Sequence, residues 1–248
     1  MLTANVSKWA AGIVLAMLTT VQGVALAAGL QISPISITIP TDKRADEVWL
    51  RNTSTEVVHA QVRVYHWSQA EGEDVLVPDQ HMVASPPMVQ LQPGQQQLVR
   101  LVRVGPLSGP AVNERTYRVL IDELPIQRTA AKAGLDFVFR YSVPVFIAGT
   151  APAQPQLDWS VQEADGQAWL RVANSGTSRA QLANIEYTPH GGQTVMAMNG
   201  LAGYVLAGQY RSLPLGLPAS LFTKGGVFSS LINAVQAETR VAPIIKSP

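Results

Sequence analysis

The residue types that most often carry catalysis are few in this sequence and stand far apart. The chain has no cysteine, which excludes thiolate nucleophiles and zinc–thiolate sites. Its four histidines, at positions 59, 66, 81 and 190, include no pair with the spacing of metal ligands on a helix. Neither a Gly-x-Ser-x-Gly nucleophile motif nor a glycine-rich nucleotide-binding motif occurs. The sequence therefore predicts a protein that is not an enzyme and that uses no metal or cofactor.

The densest acidic cluster consists of Glu71, Glu73 and Asp74. It lacks the regular spacing of oxygen ligands that calcium loops have, so we interpret it as a solvated hairpin loop. An exported carbohydrate-active enzyme would need a catalytic pair of carboxylates, and no credible pair stands out.

The first 27 residues have the pattern of a secretory signal peptide. Lys8 is their only charge, a short apolar stretch follows it, and Ala25-Leu26-Ala27 forms an Ala-x-Ala cleavage site. The alternative is an N-terminal membrane anchor, but the apolar stretch is shorter than the roughly 20 residues of a spanning helix. We therefore expect export with cleavage after Ala27.

The net charge argues against nucleic acid and anionic membranes as partners. The chain has 18 lysines and arginines against 17 acidic residues, and cleavage would remove Lys8, leaving the two signs equal. A neutral chain has no electrostatic footprint for polyanions. No later segment is long and apolar enough to span a bilayer, so we expect no stable membrane insertion.

Apolar residues alternate with polar ones along most of residues 28–248, a period typical of half-buried strands. Many short strands separated by turn residues predict an all-β fold of antiparallel sandwiches. The uncharged, proline-containing segment 149–155 is the best interdomain linker. It divides residues 28–148 from residues 156–248. In the second part we predict strands at 156–161, 168–174, 180–187, 194–199, 208–214 and 235–241.

One predicted strand, 134–146, has a continuous row of large apolar side chains at its odd positions. At about 6.6 Å between alternate residues, this row fits the pockets of a sandwich that lacks one strand. An ordinary core strand would have the same pattern. The position next to the linker favours a sheet edge, where an apolar strand is a hazard unless a partner uses it. The row consists of Leu135, Phe137, Phe139, Tyr141 and Val143.

Short motifs along residues 30–190 occur in a specific order and spacing. They are Asn52-Thr53, Tyr65-x-Trp67-Ser68-Gln69, Ser85-Pro86-Pro87, Leu91-x-Pro93-Gly94, Leu98-Val99-Arg100 and Tyr117-Arg118-x4-Glu123-Leu124-Pro125. On these motifs the chain resembles the PapD-like periplasmic chaperones of the chaperone–usher pathway. The Tyr-Arg and Trp-Ser-Gln forms are most similar to the archaic branch, whose subunits resemble spore coat U proteins.

The resemblance implies two immunoglobulin-like β-sandwiches in an angled, L-shaped arrangement. It implies a periplasmic chaperone that binds, folds and caps pilus subunits by donor-strand complementation and delivers them to an outer-membrane usher. Segment 134–146 then corresponds to the last strand of the first domain. That strand pairs with a spore coat U-like pilin that lacks its own final strand, and Leu135, Phe137 and Phe139 fall on donor positions.

The chain departs from the family at the cations that hold a subunit. Many members place a basic pair at positions that correspond here to the vicinity of Ser33-Pro34 and to Pro144, and neither is basic. The family's acidic residue is present as Glu123, but Ala148 stands where its arginine partner is usual.

Another cation must therefore bind the C-terminal carboxylate of the subunit. Our first candidate is Arg118, which shares a strand face with Leu120 and Asp122, and Arg100 and Arg103 follow. For each of them an ordinary surface salt bridge, worth under about 1 kcal/mol, is the alternative.

A different function would be that of an exported structural pilus or surface subunit with immunoglobulin-like domains. Such a subunit would assemble with itself and would have no free sheet edge.

Overall fold

The computed structural model of the chain describes residues 29–105, 111–125 and 138–246. The predicted signal peptide lies outside these residues. Within them, eighteen strands and one turn of 3₁₀ helix, Ala219–Phe222, make up the regular secondary structure. The strands form four sheets, two before residue 148 and two after residue 156. The all-β fold of two sandwiches that was predicted from the sequence is therefore confirmed.

The first domain packs a four-stranded sheet against a six-stranded sheet. Its strands are β1 (Leu30–Ser33), β2 (Ile37–Ile39), β3 (Ala45–Asn52), β4 (Val58–Ala70), β5 (Glu73–Pro78), β6 (Met82–Ser85), β7 (Met88–Leu91), β8 (Gln96–Arg103), β9 (Arg115–Leu124) and β10 (Arg140–Ile147). The four-stranded sheet has the order β1-β3-β8-β6. The six-stranded sheet has the order β2-β10-β9-β4-β5, with β7 paired to the start of β4.

The alternation that predicts strands also decides which side chains enter the core of the first domain. On β9 the odd-numbered Tyr117, Val119 and Ile121 are buried, and on β10 Val143 and Val145 join them. Burial of such a side chain contributes roughly 1.5–3 kcal/mol. Because successive side chains point to opposite faces, the even-numbered residues of β9 and β10 face away from the core. This outward face of the six-stranded sheet carries the candidate site.

The second domain consists of two further four-stranded sheets. Its strands are β11 (Leu157–Ala164), β12 (Gln167–Asn174), β13 (Ala180–Pro189), β14 (Val195–Val205), β15 (Gln209–Pro218), β16 (Gly226–Ile232), β17 (Val235–Val241) and β18 (Ile245–Lys246). One sheet has the order β15-β12-β11-β18 and the other has the order β14-β13-β16-β17. All neighbours are antiparallel except β11 and β18.

The strands predicted in the second domain are present, and β17 matches its predicted bounds. The other five are longer than predicted, above all β14, which continues to Val205, and β15, which continues to Pro218. Strand β16 was missed. Its sequence, Gly-Val-Phe-Ser-Ser-Leu-Ile, begins with glycine and has two central serines, so its intrinsic strand preference is weak. Pairing with β13 on one side and β17 on the other makes it a central strand nonetheless.

Three hairpins close through two-residue turns in which both residues have positive φ. Such turns have the twist of the flanking strands, and they favour glycine or a short polar residue. The turn residues are Glu71 and Gly72 (φ 53° and 82°), Asp165 and Gly166 (52° and 74°), and Asn233 and Ala234 (49° and 66°).

Candidate functional site

Strand β10 lies at the edge of its sheet over the first part of its length. One side pairs with β9 throughout, from Arg140 opposite Asp122 to Ile147 opposite Arg115. On the other side, β2 pairs only with residues 145–147. In the described part of the chain, no strand covers that side of residues 140–144. An edge of this kind can accept a strand from another chain. We call residues 140–144 the free edge.

The residues of the predicted donor row differ in their surroundings. Leu135 and Phe137 lie outside the described residues, and the described strand begins only at Arg140. Phe139 precedes β10 and is 45% exposed, and its ring centre lies 6.2 Å from that of Tyr141. Tyr141 is half-buried against the core of the first domain. The exposed apolar surface beside the free edge is therefore that of Val138, Phe139 and part of Tyr141.

Val143 does not share this exposure. It is 4% exposed and belongs to the core of the first domain, together with Val145 and Ile147. The odd-numbered row points inward once β10 is paired, because it is on the same face as the buried residues of β9. Val143 is therefore an ordinary core residue and not an exposed donor residue.

The Tyr141 hydroxyl is bound within the first domain. It donates a hydrogen bond to Oε1 of Glu123 over 3.1 Å, and the backbone N–H of Leu30 donates to the same oxygen over 3.1 Å. Burial raises the pKa of Tyr141 to about 12, and the negative charge of Glu123 adds to this shift. Among the described residues, Glu123 thus ties β1 and β10 together without an arginine partner.

Arg118 lies on the outward face of β9, opposite Tyr65 on one side and Pro144 on the other. Its guanidinium carbon is 3.7 Å from the centre of the Trp67 ring and 5.6 Å from that of Tyr204. The side chain is half-buried, and burial lowers its pKa. Among the described residues Arg118 has no hydrogen-bond or ion-pair partner, although it makes these ring contacts. An arginine in this state retains its N–H donors for an anion.

The rings beneath Arg118 join the two domains. Trp67 and Phe146 of the first domain form a buried cluster with Tyr204 and Leu206 of the second. The Tyr204 ring centre is 5.6 Å from that of Trp67 and 5.6 Å from that of Phe146. We call this group the interdomain cluster. Arg118 therefore lies beside the junction of the domains.

Gln69 secures the same junction with hydrogen bonds. Its Nε2 donates to the Tyr204 carbonyl over 2.7 Å, and its Oε1 accepts from the Leu206 N–H over 3.0 Å. Its own backbone N–H donates to the Gln209 side chain. Gln69 is 9% exposed, so water does not reach the Tyr204 carbonyl and the Leu206 N–H to replace these hydrogen bonds.

A second contact between the domains is the ion pair of Glu114 and Arg179. Arg179 donates to Glu114 through its backbone N–H, over 3.1 Å, and through its guanidinium. The guanidinium carbon also lies 3.5 Å from the centre of the Phe146 ring. Burial raises the pKa of Glu114 above its ordinary value, because it outweighs the attraction of Arg179.

The acidic cluster interpreted as a solvated loop takes part in this junction. Glu73 and Asp74 lie on β5, and Nη1 of Arg211 in the second domain is 3.3 Å from an oxygen of each. Both side chains are exposed, as in a solvated run, but they lie on a strand rather than in the loop and have Arg211 as an ion-pair partner.

The other two arginine candidates are on a different sheet. Arg100 and Arg103 belong to β8 of the four-stranded sheet, on the far side of the core from Arg118. Arg103 is 9% exposed and donates to the carbonyls of Thr41, over 3.3 Å, and Lys43, over 2.9 Å. Arg100 is exposed, but it pairs across the sheet with Glu47 and Ser85 rather than with the strands of the site. Of the three arginine candidates, the structure thus groups only Arg118 with the free edge.

Asp122 binds two further arginines on the outward face. Nη2 of Arg63 lies 2.6 Å from one carboxylate oxygen, and Nε of Arg140 donates to the other. Burial raises the pKa of Asp122, but the hydrogen bonds from Arg140 and Arg63 outweigh it, so this pKa lies below its ordinary value. We call Arg63, Asp122 and Arg140 the Asp122 cluster.

The interdomain cluster was not predicted from the sequence, although the numbering of the buried residues along β4 and β10 contains its signal. On β4 the core residues are even-numbered, and Trp67 is odd-numbered. On β10 the core residues are odd-numbered, and Phe146 is even-numbered. A large apolar side chain on the face away from the core needs a second surface to cover it. Here that surface is the second domain.

No group of three or more His, Asp or Glu residues that could hold a metal ion occurs in the described ranges. Among the same residues, no helix has the length and apolar composition needed to cross a membrane.

Comparison with known proteins identifies the family. Residues 29–153 match the N-terminal domain of PapD, described as a pili and flagellar-assembly chaperone. No curated protein sequence matches the chain.

Solved structures of low sequence identity share the fold. One is the CsuC–CsuE chaperone–tip adhesion subunit pre-assembly complex from archaic chaperone–usher Csu pili of Acinetobacter baumannii, with 24% identity and a TM-score of 0.68 over 89% of this chain and 100% of that chain. Another is the Escherichia coli chaperone DraB, with 16% identity and a TM-score of 0.58 over 87% of this chain and 97% of that chain. A third is the Salmonella enterica SafA pilin in complex with the SafB chaperone, with 17% identity and a TM-score of 0.58 over 86% of this chain and 93% of that chain.

These findings confirm the resemblance drawn from the sequence motifs. The family is one of chaperones, which is not a class of enzymes. The chain belongs to the PapD family of pilus-assembly chaperones.

Proposed function

We propose that the chain is a periplasmic chaperone that binds pilus subunits by donor-strand complementation and delivers them to an outer-membrane usher. The free edge of β10 completes the sheet of a subunit that lacks one strand. Arg118 binds the C-terminal carboxylate of that subunit. The observation that carries the proposal is the proximity of an unpaired strand edge to an arginine without a hydrogen-bond partner among the described residues.

Strand addition supplies both affinity and selectivity. Backbone groups of residues 140–144 hydrogen-bond the subunit, while exposed apolar side chains beside them enter its open core. Phe139, at 45% exposure, is the described residue best suited to the second role. Leu135 and Phe137, which lie outside the described residues, stay predictions as further donors.

The surroundings of Arg118 suit a carboxylate. The Trp67 ring covers the guanidinium, and burial removes part of its hydration. An arginine in a partly dehydrated site still needs a counter-charge, and a carboxylate can accept two parallel N–H bonds from it. Among the described residues, the carboxylate that raises the pKa of Arg118 is that of Asp74, and Asp74 itself forms an ion pair with Arg211. A subunit terminus would supply the missing anion.

Two similar structures support pilus subunits as the partners. The Acinetobacter baumannii structure contains a chaperone with a tip adhesion subunit, and the Salmonella enterica structure contains a chaperone with a pilin. The first belongs to an archaic chaperone–usher system, which supports spore coat U-like pilins and an usher as partners of this chain. The predicted signal peptide supports the periplasm as its location.

Disulfide mapping tests strand addition directly, because the chain has no cysteine of its own. Val138, which is 53% exposed beside the free edge, is changed to cysteine, and Val83, which is 40% exposed on β6, provides the control. Each variant is co-expressed in the periplasm with a candidate subunit that has one cysteine in its last strand. We expect cross-linking through Val138→Cys and none through Val83→Cys. Equal cross-linking of both, or cross-linking of the control alone, would rule out the free edge as the binding site.

A further inference from the structure

The Asp122 cluster carries an excess positive charge on the same face as Arg118. One carboxylate is shared by two guanidinium groups, so the three side chains together have a net charge of +1. Across the strands, the row of Asp122 contains Gln61 and Arg140, and the next row contains Arg63, Leu120 and Ser142. Asp122 is the only acidic residue of these two rows.

The two arginines also have unused hydrogen-bond donors. A guanidinium has five N–H groups. Nε of Arg63 is buried and has no hydrogen-bond partner, and its guanidinium also lies 5.7 Å from the centre of the Tyr65 ring. Arg140 uses its Nε on Asp122, and its side chain is 64% exposed. Arg140 therefore presents its two terminal nitrogens to the outside.

Arg140 is also the first residue of β10, at the far end of the free edge from the domain junction. Pro144, at the near end, is opposite Arg118. A bound strand that ends at Arg118 and pairs with the free edge must therefore run parallel to β10. Four residues of a strand span about 13 Å, so the residue four positions before its C-terminus lies level with Arg140. An even separation places both residues on the same face.

We propose that Arg140, oriented by Asp122, binds an acidic side chain located four residues before the C-terminus of the subunit. This inference rests on the proposed function. It adds that the chaperone distinguishes subunits by an acidic residue at this position. Asp122 holds Arg140 against the sheet, so that little side-chain freedom is lost when the acidic group binds. Arg63 supplies the second positive charge, which keeps the cluster attractive to an anion while Asp122 is ionised.

Synthetic strand peptides that carry a fluorophore at the N-terminus test the inference on the full mature chain. The reference peptide alternates valine and threonine, has a free C-terminal carboxylate and has glutamate four residues before its end. One control replaces this glutamate by glutamine. A second control moves the glutamate one residue closer to the C-terminus, onto the opposite face. A third has an amidated C-terminus. Fluorescence anisotropy measures each Kd for the wild type and for Arg140→Gln and Arg118→Ala.

We expect the wild type to bind the reference peptide about threefold to fivefold more tightly than the glutamine and displaced-glutamate peptides, as for an exposed ion pair. Arg140→Gln should abolish that difference, and about 0.5 M NaCl should reduce it. If the wild type binds all three alike, while binding still needs Arg118 and a free carboxylate, the inference about Arg140 is wrong and the proposed function stands. If no peptide binds, or if amidation and Arg118→Ala change nothing, the proposed carboxylate site is itself wrong.

Discussion

The guanidinium carbon of Arg118 lies 3.7 Å from the centre of the Trp67 ring, and Trp67 is 1% exposed between the two domains. The arginine proposed to bind a subunit therefore rests on a side chain that joins the domains. Because both roles depend on the same ring, a change in domain packing would move Arg118 relative to the free edge. If Arg118 binds a subunit as proposed, we expect subunit binding to be coupled to domain orientation through this contact.

Replacement of Arg118 tests the carboxylate site. Charge-assisted hydrogen bonds to a carboxylate are worth roughly 1.5–3 kcal/mol, so we expect Arg118→Ala to weaken subunit capture by about tenfold or more. Arg118→Lys should have an intermediate effect, because lysine keeps the charge but cannot form two parallel bonds. Co-purification with a subunit measures capture, and circular dichroism checks the fold. Arg100→Ala, on the other sheet, should leave capture unchanged. Normal capture by Arg118→Ala would refute the assignment.

Replacement of Phe139 and of Val143 distinguishes a donor residue from a core residue in the same segment. Phe139→Ala should weaken subunit capture while the free protein unfolds at nearly the wild-type temperature, because this ring is 45% exposed. Val143→Ala should lower the free energy of unfolding by about 2 kcal/mol, because it removes two buried carbons and leaves a cavity. Thermal unfolding and co-purification of both variants measure the two effects. A large loss of stability in Phe139→Ala without any partner would contradict its role as a donor.

Gln69 should stabilise the contact between the domains. Gln69→Leu leaves the Tyr204 carbonyl and the Leu206 N–H buried without their partner. Unsatisfied groups of this kind cost about 1–3 kcal/mol each, so the variant should unfold at a lower urea concentration. Gln162→Leu, at an exposed position on β11, is the matched control. Equal midpoints for wild type and Gln69→Leu would mean that the hydrogen bonds of Gln69 add nothing to stability.

Glu114 should make stability depend on pH in the direction opposite to most ion-paired carboxylates. Burial raises its pKa in the folded protein above the ordinary value of 4.5, so the folded state binds the proton more tightly than the unfolded state. Stability from this group is therefore present below that ordinary value and is lost as pH rises through the raised pKa. In urea titrations from about pH 4 to 7, the advantage of the wild type over Glu114→Gln should decrease with pH.

Glu238→Gln, at an exposed position on β17, provides the control for the replacement of a glutamate by glutamine. A wild-type advantage over Glu114→Gln that grows with pH would show that attraction to Arg179 outweighs burial.

The sequence by itself determined which side chains of β9 enter the core. The alternation along β9 separates Arg118 and Asp122 from Tyr117, Val119 and Ile121, and the structure has the same two faces. This information is local, because the strand repeat places every second side chain on one face whatever lies beside it. The motif order was also sufficient to recognise the family, since it depends on residue types and spacing alone.

Only the tertiary structure decided which strands are neighbours. Arg100, Arg103 and Arg118 are equivalent as basic residues on alternating strands, yet β8 and β9 belong to different sheets. Val143 continues the row of Phe139 and Tyr141, yet pairing with β9 and the core beneath it bury Val143 alone of the three. Trp67 and Tyr204 are 137 positions apart in the sequence and meet because the second domain covers the outward face of the first. Such contacts depend on pairing and packing between distant segments, and the periodicity within one strand carries no information about them.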